Sequence, residues 1–402
     1  MNKFSTFDDP QNFAVALFRL PFRPFFLGAG IFAVISILLW SSYWMGMDLI
    51  KPVGGALWWH GHEMIFGFAA AVLLGFLLTA AKNWTGLTGL GGWPLILLFF
   101  LWLIPRFAYL SVGQTSVWIA LISESLFWLL GCYFYSRMII KKRMWRNLGF
   151  SIILLALGAV NFALVMSATD GGNWLKWLHV GVVFFMVVIT IIGGRIIPFF
   201  SAAASGLEKV EGRKLIELPV IALSILLLGW SLVAGIISRS AILGAICALL
   251  TLFQLARFIR WPLLAGAGNA MLWTLFLGYA CLIAGIASLA AYHFGVLDNL
   301  SSIVHLITIG AIGLMILSMM SRVSLGHTGR KISAGRLLVV AFTLVIISAL
   351  VRVLFPLAGL YLNLAHAHAY ALAAVIWSLG YLLWLIKFTP ILIRKRADGR
   401  PG

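Results

Sequence analysis

The sequence predicts an all-α polytopic membrane protein of about twelve transmembrane helices, and three observations carry that expectation. Of its 402 residues 62% are hydrophobic and 10% charged, where a soluble domain carries roughly 25% charged residues. Apolar runs the length of a bilayer recur along the whole chain. The basic residues sort to alternate connections between those runs. A β-barrel would need short alternating segments with an even polar/apolar split, and none is visible.

The first apolar run, 25–45, is too long for the hydrophobic core of a signal peptide and reads as a true span. The others are 59–81, 92–110, 115–136, 147–168, 174–197, 216–237, 239–258, 267–292, 300–321, 335–354 and 365–387. Gly91-Gly92, Ile197-Pro198 and Trp261-Pro262 punctuate several ends. With twelve spans and a cytoplasmic N-terminus, twenty-four of the 29 Lys and Arg residues fall on the inside. The outside holds Lys51, Arg106, Lys176, Arg239 and Arg352. A miscounted span would mix the two groups from that point on, so count and orientation support one another and both termini are expected in the cytoplasm. The chain reads as one transmembrane helical domain over 1–402, with a cytoplasmic N-terminal segment (1–24), a polar cytoplasmic loop (198–215) and a cytoplasmic tail (388–402). In that loop Glu208, Lys209, Glu211, Arg213 and Lys214 read as a solvated surface helix. The formal net charge of +18 follows from the positive-inside rule, and no nucleic-acid partner is expected.

Cys132, Cys247 and Cys281 each lie inside an apolar span, and no CxxC or CxxCH pair occurs. This excludes a disulfide framework, a structural zinc motif and a thioether-linked haem.

Eight histidines remain. In this topology His60, His62, His179, His293, His305, His366 and His368 all lie at the outer membrane face, and His327 alone lies at the inner one. Spans 2, 6 and 10 share a further pattern, opening on a histidine and closing on a basic residue: His62 to Lys82, His179 to Arg195, His305 to Arg322. These separations correspond to about 24–30 Å of helix, one hydrocarbon thickness. Their spacing four spans apart suggests three four-helix units. Imidazole is the commonest metal ligand and takes a partner that fixes its tautomer. His60, His62, His179 and His305 are therefore the candidate cofactor-binding residues, with His60, His62, His305, His366 and His368 as candidate metal ligands. In a regular helix His60 and His62 point about 200° apart and do different jobs; if His60 sits in a non-helical entry turn, which Gly61 permits, they could converge. Glu63 is the natural partner of a ligating histidine or a proton-relay group. His293 reads as interfacial, and Met315, Met319 and Met320 as core filler. Gly67, Ala71, Gly75 and Thr79 follow Glu63 as a small-residue stripe that reads first as helix packing.

Several longer motifs surround these residues: Phe22-Arg23-Pro24-Phe25-Phe26, His60-Gly61-His62-Glu63-Met64-Ile65-Phe66-Gly67, Gly75-Phe76-Leu77-Leu78-Thr79-Ala80 with Asn83-Trp84-Thr85-Gly86, Gly194-Arg195-Ile196-Ile197-Pro198-Phe199-Phe200, the run from Met319 to Arg330, and Asp398-Gly399-Arg400-Pro401-Gly402. On these motifs the chain resembles the NnrS family, bacterial inner-membrane proteins that contain haem and copper and belong to the nitric oxide response. The resemblance covers essentially the whole chain. It implies non-covalent haem, copper, nitric oxide or a related small molecule as partner, and protection against nitrosative stress. It assigns no ligands, and Arg23, Arg195, Arg322 and His327 are family-motif residues without a role. Twelve spans with histidines on 2, 6 and 10 are also similar to the haem–copper oxidase core at the level of fold. The paired span-7 histidines and the His-Pro-Glu signature of that core are absent, which argues against terminal oxidase activity. Enzyme activity stays open. The alternative functions are a polytopic transporter or permease, in which Glu124 would be the first residue to test, and an assembly factor carrying metal or haem to respiratory proteins.

Overall fold

The computed structural model of the chain describes residues 16–47, 49–110, 113–362 and 366–399, and within these the side chains other than those of 357–362 and 366. It is helical, with no strand among the described residues. Twelve principal helices follow in order: α1 (Phe22–Trp44), α2 (Gly55–Thr85), α3 (Trp93–Ala108), α4 (Gln114–Lys141), α5 (Gly149–Thr169), α6 (Trp174–Ser205), α7 (Lys214–Ala234), α8 (Ala241–Phe258), α9 (Ala270–His293), α10 (Leu300–His327), α11 (Gly335–Leu362) and α12 (His366–Leu392). Eleven are long and apolar enough to cross a membrane, and α3 is a shorter apolar helix of 16 residues. Each corresponds to one of the expected spans.

Local chemistry sets several boundaries. Ser240, Asn269 and Asn299 accept backbone N–H groups at the starts of α8, α9 and α10. Gly86 and Gly235 end α2 and α7 in the left-handed region (φ 65° and 74°). The polar loop departs from expectation. Helix α6 runs through Pro198 to Ser205, and residues 206–213 form no helix. Lys209 pairs with Glu211 at 2.9 Å, a separation of two residues that a helix would turn apart, and Gly206 takes φ 71° just past the helix end.

The chain divides into two compact units. The first comprises 1–174, 319–332 and 381–402, and the second 175–318 and 333–380. A division into three four-helix units does not describe these contacts. In the first unit α2 is almost wholly enclosed. Helix α1 lies along its small-residue stripe. A Cβ on Gly75 would stand 2.8 Å from Phe25 Cβ, and one on Gly67 would stand 2.9 Å from the Phe32 ring. Thr79 Oγ1 accepts the Phe22 amide at 3.1 Å and donates to the Gly75 carbonyl at 2.7 Å. Close approach of α1, rather than of a flat cofactor, is thus what the stripe permits. In the second unit α9 packs against α8 and α10, and α7 packs on α8.

Both α2 and α10 change to a π-helical turn directly after a histidine, over Glu63–Ala69 and Leu306–Gly313. Such bulges widen the helix, offset its side chains and recur at functional sites. Helix α6, the third member of the histidine pattern, has none.

Candidate functional site

The first unit holds a buried ionic network at the head of α2. His62 and Glu63 are 0% exposed, and Arg106, Glu124 and Asn161 lie between 1% and 3%. Arg106 of α3 bridges the carboxylates of Glu63 and Glu124 in two close ion pairs. The His62 ring spans the same two acids. Its Nδ1 is 3.2 Å from Glu63 Oε1, and its Nε2 is 2.9 Å from Asn161 Oδ1 and 3.5 Å from Glu124 Oε2. The Asn161 amide donates to Glu124 Oε2 at 2.7 Å, and the Tyr109 hydroxyl donates to the same oxygen at 2.9 Å. Trp58 stacks on the imidazole at 4.9 Å, and Tyr109 meets it edge-on at 4.8 Å.

The π turn explains how one helix presents both groups. Trp102 and Arg106 lie four residues apart on one face of α3. Trp102 Nε1 donates to the Gly67 carbonyl at 2.8 Å, inside the widened turn where intrahelical pairing is altered. Arg106 lies against Gly67 itself: a Cβ there would collide with the guanidinium and stand 2.6 Å from Glu63 Oε2. Gly67 is therefore the recess that admits Arg106 to the network.

Buried charge is tolerated where it is paired and hydrogen-bonded. Two carboxylates face one guanidinium here, and both imidazole nitrogens face oxygen acceptors. The ring thus bridges the two acids that Arg106 also joins. Glu63, His62 and Glu124 are the titratable groups of this network, and the Asn161 amide orients His62 and Glu124. With both ring nitrogens engaged, His62 could ligate a metal only by giving up one of these partners.

His60, two residues earlier on the same helix, points elsewhere, stacking on Trp40 at 4.4 Å with the rings 7° from parallel. The opposed directions expected from helical geometry are realised. The second unit contains the other histidines of the pattern. His179 is buried on α6, and its Nδ1 has no hydrogen-bond partner. His305 Nδ1 lies 2.7 Å from the Ser301 carbonyl. This Nδ1 therefore carries the N–H that the carbonyl accepts. His293 is buried with both ring nitrogens unpartnered, so it is not simply interfacial. His368 is exposed near the start of α12, and the His366 side chain lies outside the described residues. Among the described residues no three His, Cys, Asp or Glu side chains come together to hold a metal ion. The three cysteines are free thiols.

A second buried polar network lies in the same unit. Arg257 pairs with Glu217 and donates to the Thr190 carbonyl and the Tyr279 hydroxyl, each at 2.9 Å. Gln254 donates to Thr190 Oγ1, also at 2.9 Å. Gly194 leaves room for this guanidinium as Gly67 does for Arg106.

The family model described as NnrS protein matches residues 16–396. The chain belongs to the NnrS family. No curated protein matches it. Within this NnrS chain the motif residues acquire places. Arg23 is fully buried and donates to the Leu392 and Arg394 carbonyls at 2.8 and 2.6 Å, holding the end of α12. The His327 carbonyl accepts from Arg396 at 3.0 Å, and His327 Nε2 is 3.2 Å from Asn83 Nδ2. Arg322 is buried and Arg195 exposed.

Sequence reasoning named His62, Glu63 and Glu124 but missed Arg106, Asn161 and Tyr109. By the charge rule Arg106 reads as an outer basic residue, and Asn161 stands alone in an apolar span. Their common signal is a polar residue inside an apolar span, which is costly unless partnered.

Proposed function

We propose that this chain is a haem- and copper-binding protein of the bacterial inner membrane that acts in the nitric oxide response and protects against nitrosative stress. The observation that carries the reading is the family match over 16–396. The histidine chemistry supports it. His305 has its Nδ1–H held by the Ser301 carbonyl, the kind of backbone partner that orients a ligating imidazole. The unpartnered buried Nδ1 of His179 costs free energy that coordination would recover. We assign His179 and His305 as the leading cofactor ligands, with His60, His62, His366 and His368 as further metal-ligand candidates. His179 and His305 would hold haem or copper there, and the metal would supply the chemistry that binds nitric oxide. Glu63, His62 and Glu124 form a separate network of titratable groups, positioned by Arg106, Tyr109 and Asn161.

The test is a haem and copper assay on protein from replete cells, with absorption spectra before and after nitric oxide. A Soret band that nitric oxide shifts is expected. His179→Ala or His305→Ala should lose a cofactor, whereas Asn161→Ala should keep both. Wild-type protein containing neither haem nor copper would sink the reading. Full cofactor retention in His60→Ala, His62→Ala, His179→Ala, His305→Ala and His368→Ala alike would sink the ligand assignment. Normal cofactor content without nitric oxide chemistry would point instead to delivery of metal or haem to other respiratory proteins. For the transport alternative, Glu124 is enclosed by Arg106, Tyr109, Asn161 and His62, a partnered structural carboxylate rather than an unpaired substrate group.

A further inference from the structure

A basic cluster in the first unit stands apart from the histidine chemistry. It is built where the start of α1, the ends of α2, α10 and α12, and the chain after α12 meet. Arg23 forms its base. This side chain is 0% exposed, and only Nη1 is used, on the Leu392 and Arg394 carbonyls. Nε and Nη2 are buried without a hydrogen-bond partner. The segment that Arg23 holds, Leu392–Arg394, runs on to Arg396, which donates to the His327 carbonyl, and to Ala397, whose amide donates to the Thr328 carbonyl beside Arg330. Asn83, next to Lys82, meets His327 at 3.2 Å. Arg330, Arg19 and Arg396 are the cations acting on the buried Arg23. Arg394 adjoins Arg330. Against these cations stands Asp398, whose carboxylate is already held by Arg396 at 2.9 and 2.6 Å.

A positive-inside anchor explains exposed Lys and Arg at a membrane boundary, but not this base. An anchor snorkels towards water and headgroups. Arg23 is fully enclosed, keeps two donors unsatisfied and is crowded by like charge, an arrangement that costs free energy unless an anion completes it. The guanidinium fork matches the oxygens of a phosphate, and several guanidinia around one such group form the usual phosphate-binding arrangement. Arg19 and Arg330 are half-buried, and the Arg396 side chain keeps 17% exposure, so they can form the mouth above Arg23.

We infer that Arg23, Arg19, Arg330 and Arg396, with Lys82 beside them, form a binding site for a phosphate-type oxyanion, carried by an anionic lipid headgroup or free in solution. The site lies at the opposite end of α2 from His62, so it is independent of the cofactor reading.

The purified full-length chain tests it by thermal unfolding in detergent. Inorganic phosphate is titrated against chloride at matched ionic strength, and the protein is compared in nanodiscs of phosphatidylglycerol and of phosphatidylcholine. Saturable stabilisation is expected, of about 2 °C or more at saturation, with phosphate, with phosphatidylglycerol, or with both. Phosphate alone identifies a free ion, and phosphatidylglycerol alone a lipid headgroup. Arg330→Gln should abolish the effect while leaving the unliganded protein folded, since Arg330 is half-buried, its guanidinium bonds only the Thr328 carbonyl among the described residues, and its backbone bond to the Leu325 carbonyl is kept. Arg23→Gln should abolish it as well, at some cost in basal stability from the lost α12 contacts. No saturable effect from either source, or an effect that Arg330→Gln retains in full, overturns the inference.

Discussion

The Arg106 side chain decides whether the two buried acids of the first unit are tolerable. Removing one partner of a buried pair is far more damaging than replacing the whole set by apolar or neutral groups. Arg106→Met should therefore destabilise the protein by about 3–5 kcal/mol, seen as a large fall in its unfolding temperature. Adding Glu63→Gln and Glu124→Gln to that variant should recover much of the loss. If the triple variant is no better than the single one, the ionic account of the network is wrong. Gly67→Ala tests the same point through space. Its Cβ would meet the guanidinium, Glu63 Oε2 and Phe32, and neighbours on all sides leave little room to yield. A loss of about 1–3 kcal/mol is expected, against the small gain that Ala brings to an unobstructed helix position. A stabilised Gly67→Ala protein would show that the recess is not needed.

At the scale of elements, the chain after α12 is held by the turn after α10. The Ala397 amide donates to the Thr328 carbonyl at 2.9 Å, and Arg396 reaches the His327 carbonyl. Gly329 adopts φ 71°, and a Cβ there would stand 2.5 Å from the Asp398 carboxyl carbon. Asp398 in turn hydrogen-bonds Arg396 and holds its guanidinium above the ordinary value, while burial and the adjoining Arg394 hold Arg330 below it. Gly329→Ala should release the tail, exposing it to limited proteolysis after Leu392 while the transmembrane helices stay protected. Unchanged cleavage would mean that the turn does not hold the tail.

For the molecule as a whole, the basic residues on alternate connections set the expected orientation. Fluorescent-protein fusions at the C-terminus and in the 206–213 loop should fluoresce, and alkaline phosphatase fusions at the same points should be inactive. A phosphatase fusion between α7 and α8 should be active. The reverse pattern would invert every depth assigned to the histidines. Some basic residues counted towards this rule are not loop anchors at all. Arg23, Arg106, Arg257, Arg322 and Arg352 are buried within helices, and the rule survives because the remaining loop residues carry the same bias.

The positions of the twelve helices were legible in the chain alone, because the bilayer imposes a length and a polarity on each span that composition records directly. The opposed directions of His60 and His62 followed from helical periodicity in the same way. The π turns after His62 and His305 were not legible, since nothing in the local apolar pattern distinguishes a widened turn from a regular one. Nor were the partners. Glu124 and Asn161 looked like isolated polar residues, and Arg106 like an outer-loop cation. Their meeting depends on packing between α2, α3, α4 and α5, a relation between residues up to 99 positions apart that short-range spacing does not encode. The shared depth and the chemistry of the histidines pointed to metal binding at the head of α2. Tertiary structure surrounds His62 with oxygen acceptors on both ring nitrogens, one of them from a residue 99 positions away, because hydrogen-bond partners are decided by what lies close in space; the His305 contact with the Ser301 carbonyl, by contrast, is made within its own helix.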